Sequence, residues 1–278
     1  MKKNNSIYIV IVLFEKELDN CLPLQFLLQN KQILSSDYEL LVYNNSPETT
    51  ILPDKNYDVF NARQNNMLAG AYNYALEQAI KTQKKWLLLL DQDTELTIDY
   101  FEELKKNFKT DIPEKIGAII PQVKKHTHCI TPKTYFPKFG PYFFSTAIKK
   151  PGIYNKCFLS INSGTILNIE IINEIGGFSS KYPLDGLDFW YFYQLYKKKV
   201  KVYVMNVVIE QNLSILDYSG MNIQRYNSIL NAELQFCTEL GLMAVFFWKL
   251  RILLRAVKNL YNNKKRNYTF LTLSYLFK

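Results

Sequence analysis

Residues 86–93 read Trp-Leu-Leu-Leu-Leu-Asp-Gln-Asp, an apolar run that ends abruptly in two carboxylates. Five consecutive large apolar residues predict a strand that is buried on both faces, as in a parallel sheet covered by helices. Because side chains two residues apart in a strand point the same way, Asp91 and Asp93 are expected on one side of its carboxyl end. Ligands of open α/β sheets bind beyond such ends, and paired carboxylates suit a hard divalent cation. The alternative is that Asp91 and Asp93 only form a turn, since Asp is common where a strand ends.

The segments on both sides of this stretch alternate between strand and helix patterns. Before it, the sequence predicts strands over 7–14, 39–43 and 57–60, helical structure to about residue 34 and an amphipathic helix over 66–82. After it, the sequence predicts a helix over 98–108, a strand over 116–123, a helix to about 198 that opens near Asp188, and a strand over 200–209. This alternation is typical of α/β proteins with a mostly parallel sheet and right-handed crossovers.

The segment 124–156 has scattered Pro, Gly, Lys and aromatic residues without a sustained period. Irregular segments of this length in a compact domain usually carry a function or move. We therefore expect a flap near the site.

Length and cysteine usage narrow the class of protein. A chain of 278 residues suits one large α/β domain, or one such domain with an appendage. Its 48% hydrophobic and 21% charged residues exclude a disordered protein. The four cysteines are widely spaced without a Cys-x-x-Cys pair, which argues against a disulfide framework or zinc ribbon and predicts a reducing cytosol.

The basic excess belongs to the C-terminal tail. The net charge is +9, and no acidic residue follows Glu239, whereas eight lysines and arginines do. The helical pattern over 241–261 mixes apolar and basic residues too closely for a membrane span, so two alternatives remain. One is an interfacial helix on an anionic membrane, and the other is a helix packed on the domain with a solvated basic face. We divide the chain into domains at 1–235 and 236–278, and expect no nucleic-acid partner because no recognisable module accompanies the charge.

Several short motifs follow one another in an order that resembles a known family. They are an Asn-rich turn after the second strand, an Asn-containing helix, Asp91-Gln92-Asp93, Ser163-Gly164-Thr165, Gly176-Gly177-Phe178 and Asp188 before a helix. Together they resemble the family 2 glycosyltransferases of GT-A fold, and more narrowly the rhamnosyltransferase-like bacterial branch that builds surface polysaccharides. The likeness covers about residues 6–235. Each motif is weak alone, and their order and spacing make the combination specific.

The resemblance implies a GT-A fold, a mixed and mostly parallel sheet flanked by helices, followed by a C-terminal helical tail. It implies a metal-dependent inverting hexosyltransferase that moves a sugar from a UDP- or dTDP-sugar to a saccharide acceptor, which we expect to be lipid-linked. The cofactor would be Mg²⁺ or Mn²⁺. The protein would act in the cytoplasm, peripherally on the inner face of the cell membrane.

The resemblance also assigns roles to individual residues. Asp188 would be the general base, and the metal ligands would be Asp93, Asp91 and Gln211. The nucleotide-binding residues would be Phe14, Glu15, Asn44, Asn73, Asp91 and Gly164. The acceptor-binding residues would be Asp185, Trp190 and Arg225. Asp185 and Asp188 would also suit simple capping of a helix start, and the position of Asp188 near the positive helix end favours it as the base.

Five positions depart from the family pattern: Glu15 stands where the family has Asn, Tyr43 stands where it has Asp, and three more bear on turnover. Met67 stands where the family has Gly, Gln194 where it has Arg, and Gln211 where it has His. Met67 predicts a different loop path, because Gly permits a close backbone approach. These departures motivate an alternative function, a catalytically impaired GT-A-fold protein that binds nucleotides or saccharides.

Overall fold

The computed structural model describes residues 6–33, 38–109, 115–125, 128–210, 220–262 and 265–278. Its strands are β1 (Ile7–Leu13), β2 (Tyr38–Asn44), β3 (Asp58–Asn61), β4 (Trp86–Asp91), β5 (Ile116–Lys125), β6 (His128–Thr131), β7 (Lys133–Tyr135), β8 (Ser145–Ala147), β9 (Gly152–Tyr154), β10 (Phe158–Leu159), β11 (Thr165–Asn168) and β12 (Lys201–Glu210). Its α-helices are α1 (Leu22–Gln29), α2 (Met67–Lys81), α3 (Ile98–Lys109), α4 (Ile169–Ile175), α5 (Leu187–Lys197), α6 (Ile223–Leu240), α7 (Leu242–Leu260) and α8 (Thr269–Ser274).

The central sheet has the strand order β3-β2-β1-β4-β11-β5-β12-β9, and β6 extends it by pairing with β5. Strands β3, β2, β1 and β4 run parallel, as do β5 and β12, whereas β11 lies antiparallel between β4 and β5. The prediction of a mixed, mostly parallel α/β sheet is confirmed.

The strand β4 is buried on both faces, as its apolar run predicts. Trp86 is 2% exposed and the four leucines that follow are fully buried. Leu87 and Leu89 pack on the face covered by α2 and α5, and Leu88 and Leu90 pack on the face covered by α1 and α3. Each fully buried leucine contributes roughly 1.5–3 kcal/mol of transfer free energy, so this short run anchors both layers of the core.

The segment 124–156, which we expect to be a flap near the site, contains regular strands that its sequence pattern did not predict. Part of it folds into β6 and β9, which pair with β5 and β12 of the main sheet. Another part supplies β7 and β8, which form a separate three-stranded antiparallel sheet with β10. Strands of three or four residues are too short to show a two-residue period, so the sequence pattern did not reveal them.

The C-terminal helices form a cluster of their own around the inner face of α7. Ala244, Trp248, Ile252 and Ala256 repeat every four residues and are buried, and the first three join a cluster with Tyr226 and other residues of α6 and α8. The helix α7 therefore packs on the rest of the protein through this face, as the second of the two alternatives predicts.

The outer face of α7 is apolar and exposed. Its residues lie at alternating spacings of three and four, and are Met243, Phe246, Leu250, Leu253, Val257 and Leu260, which are 37–55% exposed. The buried inner face agrees with the packed alternative, and contact of the outer face with a membrane stays a prediction. No helix in the described ranges combines the length and the apolarity that crossing a bilayer requires. The expected boundary at 235/236 falls inside α6, and the division into two domains stays a prediction.

Candidate active site

The site lies where β1 and β4 end side by side. From β1 the chain proceeds to β2 and β3 on one side of the sheet, and β4 lies on the other, so the strand order reverses between β1 and β4. Ligands of open α/β sheets bind in the crevice at such a switch point. The side chain of Gln92 bridges the two ends, since it accepts a hydrogen bond from the Phe14 N–H at 2.9 Å and donates one to the Phe14 carbonyl at 3.2 Å.

The carboxylate of Asp91 is held by two hydroxyl groups. Ser163 donates a hydrogen bond to its Oδ2, and Tyr72 lies 3.4 Å from its Oδ1. The Asp91 N–H donates to the Thr94 hydroxyl at 3.1 Å, which fixes the turn after β4. Burial, and the charges of Asp91 and Asp188, raise the pKa of Tyr72 well above its usual value, so the phenol stays a donor. These contacts fix the orientation of Asp91 at the carboxyl end of β4.

Asp93 is partly exposed two residues beyond Asp91. Within the described residues, no three His, Cys, Asp or Glu side chains cluster as a ready-made metal site. This arrangement still fits Mg²⁺ or Mn²⁺, because Mg²⁺ commonly takes one or two carboxylates and completes its shell with water and substrate phosphates. Gln211, the third expected ligand, lies outside the described residues.

Asp188 lies in the first turn of α5, and its Oδ1 accepts a hydrogen bond from the Phe189 N–H at 2.9 Å. Burial of the carboxyl group raises its pKa to about 7, and the negative charges of Asp185 and Asp91 act in the same direction. The Phe189 hydrogen bond opposes this rise, because it stabilises the ionised form. A carboxyl group with this pKa is suited to exchange protons near neutral pH.

Asp185 is bound in a different way from Asp188. Arg225 from α6 binds both of its carboxylate oxygens. The Nη2 atom of Arg225 lies 2.7 Å from Oδ1, and its Nη1 atom contacts Oδ2. The Ser228 hydroxyl lies 3.3 Å from the same Oδ2, and the Asp185 side chain is 8% exposed. A bidentate ion pair of this kind fixes the position of the carboxylate and occupies both of its oxygens. The geometry therefore favours Asp188 over Asp185 for proton transfer.

Two of the expected nucleotide-binding residues direct their amides into the protein. The Asn44 side chain is buried, and it donates to the Thr49 carbonyl at 2.8 Å and to Asn61 Oδ1 at 3.0 Å. The Asn73 amide bonds both the N–H and the carbonyl of Phe178, at 2.8 and 2.9 Å. In this structure both residues shape the loops that border the site, and their roles toward a nucleotide stay predictions.

The remaining expected residues surround the crevice. Phe14 and Glu15 follow β1, and the Glu15 N–H donates to the Ser46 hydroxyl at 2.8 Å. Gly164 has a φ of +72°, and a Cβ there would lie 3.0 Å from Ile209 Cδ1, so both the backbone conformation and the close approach of β12 favour glycine. Trp190 is half-buried against the main core.

A cleft of about 650 Å³ adjoins Glu15 on the β2 side of the switch point. Its lining includes Lys16, Thr49, Ile51, Leu52 and Tyr57. The apolar and aromatic wall beside Glu15 has the character of a site for a flat ring.

Met67 occupies the position where Gly was expected, at the first turn of α2. Its φ is +56°, in the left-handed region that favours glycine. The Asn45 side chain donates to the Met67 carbonyl at 3.2 Å, and the Asn65 side chain accepts from its N–H at 2.8 Å. The backbone at this position thus takes a conformation that glycine would adopt, which removes the reason to expect a different loop path.

Two side chains that help build the site, Tyr72 and Gln92, were missed as site residues from the sequence. Ser163 belongs to the Ser-Gly-Thr motif that the sequence singled out, and the structure adds its hydrogen bond to Asp91. Tyr72 read only as an apolar position of an amphipathic helix, and Gln92 only as the spacer between two aspartates. The structure brings Asp91, Tyr72, Ser163 and Asp188 together, although they come from β4, α2, the β11 approach and α5.

No protein-family model matches this chain, and no curated protein matches it in sequence. Solved structures do match its fold. TarS from S. aureus, residues 1–349, aligns with a TM-score of 0.51 and 10% identity over 95% of this chain and 74% of that one. The mannosyltransferase PcManGT from Pyrobaculum calidifontis, in complex with GDP-Man and Mn²⁺, aligns with a TM-score of 0.51 and 12% identity over 98% of this chain and 84% of that one.

A third solved structure, GalNAc-T7 with UDP, GalNAc and Mn²⁺, has a TM-score of 0.53 and 11% identity. The alignment covers 76% of this chain and 44% of that one. This chain has the GT-A fold that its motifs predicted.

Proposed function

We propose that this protein is an inverting glycosyltransferase that moves a sugar from a nucleoside-diphosphate sugar to a saccharide acceptor. The observation that carries the proposal is the Asp188 carboxyl group, in the first turn of α5, whose pKa is raised to about 7 by burial and by the charges of Asp185 and Asp91, in a chain of GT-A fold. Two solved structures of this fold contain nucleotide or nucleotide sugar together with Mn²⁺. The likeness in motifs further supports a place in bacterial surface polysaccharide synthesis, with a UDP- or dTDP-sugar donor.

The donor would lie across the carboxyl ends of β1 and β4. The cleft beside Glu15 and Tyr57 is suited to the base, and Asp91 is oriented for the ribose or the diphosphate. Asp93 would hold Mg²⁺ or Mn²⁺ together with diphosphate oxygens. When bound, such an ion neutralises the charge that develops on the departing diphosphate.

Asp188 would act on the acceptor. Its carboxylate takes the proton of an acceptor hydroxyl while that oxygen forms a bond to the anomeric carbon. The bond between the anomeric carbon and the diphosphate oxygen breaks, and its electron pair leaves with the diphosphate. Because a single displacement occurs from the opposite face, the anomeric configuration inverts. The acceptor would be bordered by Trp190 and by the Asp185–Arg225 ion pair.

The rate of transfer is expected to depend on the ionisation of Asp188. A base must be deprotonated to act, so the rate at saturating donor should fall about tenfold per pH unit below its pKa of about 7. A rate profile from pH 5 to 9 checks this. A rate that stays level down to pH 5 would point to a base of ordinary carboxyl pKa and would count against Asp188.

Replacing Asp93 with Asn is expected to weaken metal-dependent donor binding. Loss of one carboxylate ligand should reduce the affinity for UDP, dTDP or GDP in the presence of Mn²⁺ by about tenfold or more, since about 1.4 kcal/mol corresponds to a factor of ten. Calorimetric titration with and without Mn²⁺ measures this. Asp99→Asn, at an exposed position of α3, is the matched control and should bind as the wild type does. Equal affinity of Asp93→Asn and wild type would remove Asp93 from the metal site.

We also propose that the outer face of α7 rests on an anionic membrane surface. Eight basic residues and no acidic residue follow Glu239, so the charge of the tail complements acidic lipids, and the exposed apolar stripe matches the acyl boundary. This supports a peripheral position on the inner face of the cell membrane and a lipid-linked acceptor.

The double variant Leu253→Ser/Val257→Ser is expected to bind vesicles of phosphatidylcholine with phosphatidylglycerol about tenfold more weakly, or worse, because each buried aliphatic side chain contributes roughly 1.5–3 kcal/mol. Ile80→Ser/Ile98→Ser removes two exposed aliphatic residues elsewhere and should leave vesicle binding unchanged. Co-sedimentation measures both. If the protein instead forms a stable dimer in solution, and only the Leu253→Ser/Val257→Ser variant dissociates, then this face binds a second copy of the chain.

A further inference from the structure

The hairpin loop between β7 and β8 exposes phenylalanine rings to solvent. The two strands pair antiparallel, and residues 136–144 join them. Within this loop Phe136 is 72% exposed, Phe144 is 48% exposed and Phe143 is 38% exposed. Hairpin loops usually carry small or polar residues, and clustered exposed apolar side chains usually mark a contact surface. The loop therefore has the character of a surface that binds something.

The rings of the loop pack on the start of α7. The centroid of the Phe247 ring lies 5.3 Å from that of Phe139, and 5.5 and 5.4 Å from those of Phe143 and Phe144. Phe136 in turn packs on Phe139. We call these five rings the aromatic patch. Since Phe247 belongs to α7, the aromatic patch continues into the exposed apolar stripe of that helix.

The two stretches of sequence that supply the aromatic patch are both basic. Between Glu114 and Glu170 the chain has eight lysines and no acidic residue. The tail after Glu239 likewise has eight lysines and arginines and no acidic residue. Apolar rings carried on basic segments suit the surface of an anionic membrane, where rings reach the acyl boundary and cations face the headgroups.

A lysine within the aromatic patch distinguishes a membrane from a protein partner. Lys138 is exposed and lies between Phe136 and Phe139 in the sequence. Lysine is depleted from protein interfaces, where its ammonium group would lose contact with water. At a bilayer, the same side chain lays its methylene groups along apolar surface and extends its ammonium group to the headgroups. The composition of the aromatic patch therefore favours a bilayer as its partner.

Tyr142 connects this loop to the candidate active site. Its ring packs on that of Phe189, with the centroids 6.0 Å apart, and Phe189 donates its N–H to Asp188. On the other side, Arg251 of α7 donates to the Tyr142 carbonyl at 2.6 Å, which joins this part of the loop to the helix. A surface that contacts the aromatic patch is thus only a few side chains from Asp188.

We propose that the loop 136–144 inserts its exposed phenylalanines into the interface of an anionic membrane. Phe136 and Phe144 lie at the acyl boundary, and Lys138 reaches the headgroups. A helix that rests on a bilayer can roll about its axis, so the loop gives α7 a second contact that fixes the orientation of the protein. The consequence for catalysis, presentation of a membrane-bound acceptor to Asp188, rests on the proposed function. Insertion itself needs no turnover.

A tryptophan in place of Phe136 reports insertion directly. The native Trp86 and Trp248 are 2% and 1% exposed and Trp190 is half-buried, so the wild type supplies the background emission. With vesicles of phosphatidylcholine and phosphatidylglycerol in equal amounts, the emission of Phe136→Trp should shift to shorter wavelength, and brominated acyl chains should quench it. The control Ile98→Trp, at an exposed position of α3 on the other face of the sheet, should show neither change.

Removal of the exposed rings should weaken binding to the same vesicles. Phe136→Ser/Phe144→Ser is expected to bind about tenfold or more weakly than wild type does, because two apolar side chains no longer enter the acyl boundary. The control Ile80→Ser/Ile98→Ser should bind as wild type does. If the melting temperature of the Phe136→Ser/Phe144→Ser variant is lowered, Phe136→Ser alone, at a 72% exposed ring, carries the test with a proportionally smaller loss.

The contrary results differ in what they overturn. Absence of vesicle binding, vesicle binding without a change in the emission of Phe136→Trp, or equal binding by the Phe136→Ser variants would each overturn the insertion of this loop. A shift that grows with protein concentration in the absence of vesicles would also overturn it, and would assign the aromatic patch to a second copy of the chain. Failure of the proposed function has another signature, namely normal insertion with no nucleoside diphosphate bound or released.

Discussion

Replacement of Asp188 by Asn is expected to reduce the rate of sugar transfer about a thousandfold, within the range that a positioned general base contributes. The amide oxygen of Asn can still accept the Phe189 N–H, so the first turn of α5 should be preserved. The affinity for the donor should change little, because the variant loses a proton acceptor rather than a ligand of the diphosphate. Nucleoside diphosphate release and calorimetric donor binding, measured on the same preparation, separate these effects.

The same variant should be more stable than the wild type above neutral pH. The native state keeps a proton on Asp188 up to about pH 7, whereas the unfolded chain releases it near the ordinary value of 3.8. The contribution of this group to the free energy of unfolding is therefore complete below pH 4 and is lost as the pH rises to about 7. Asp188→Asn removes that dependence, and its melting temperature at pH 8 should exceed that of the wild type.

Asp185→Asn is the matched control for the assignment of the base. It weakens a buried bidentate pair with Arg225 and should lower the melting temperature, the opposite of the change in Asp188→Asn. Its rate of sugar transfer should fall less than that of Asp188→Asn. If Asp185→Asn abolished transfer and Asp188→Asn retained it, the base would be Asp185.

Replacement of Glu233 by Ala is expected to lower the free energy of unfolding by about 3–5 kcal/mol, the usual cost of leaving one member of a buried ion pair alone. The side chains of Glu233 and Arg255 are 11% and 15% exposed, and Trp248 donates to the same carboxylate. Without Glu233, the guanidinium group and the indole N–H both lose their buried partner. Because these contacts join α7 to α6, the packing of the two helices should weaken.

Denaturant unfolding measures the effect, and Glu77→Ala, at an exposed position of α2, should fall within about 0.5 kcal/mol of wild type. Glu233→Met with Arg255→Met should recover most of the loss, because apolar residues replace buried pairs well. A single Glu233→Ala variant as stable as the control would show that the tail packs independently of this pair.

The elements that carry strong local patterns were predictable from the sequence. The run 86–91 forms the central buried strand, and the helices over 67–81 and 98–109 lie within one residue of their expected bounds. Their periodicity depends only on which face each residue buries, and that information is local. For the same reason, the two alternatives for α7 could not be separated, since a packed face and an exposed apolar face share one helical period.

The contacts that complete the candidate site could not be predicted from the sequence. Ser163 reaches Asp91 across 72 positions, and Asn73 reaches Phe178 across 105. No local pattern encodes such pairings, which depend on β11 entering the sheet antiparallel beside β4. The pKa of Asp188 has the same origin, because burial by several elements raises it. The motif order could indicate which residues matter, and only the fold shows which of them touch.

Release of nucleoside diphosphate from a panel of UDP-, dTDP- and GDP-sugars, with and without Mn²⁺ and with a mixture of saccharide acceptors, tests the central claim most directly. The account predicts that at least one donor is turned over, that turnover requires the divalent ion, and that Asp188→Asn binds this donor without releasing its diphosphate. Donor binding without turnover in the wild type would instead identify a protein that binds nucleotides or saccharides and has lost catalysis. Equal release by wild type and Asp188→Asn would contradict the role of Asp188.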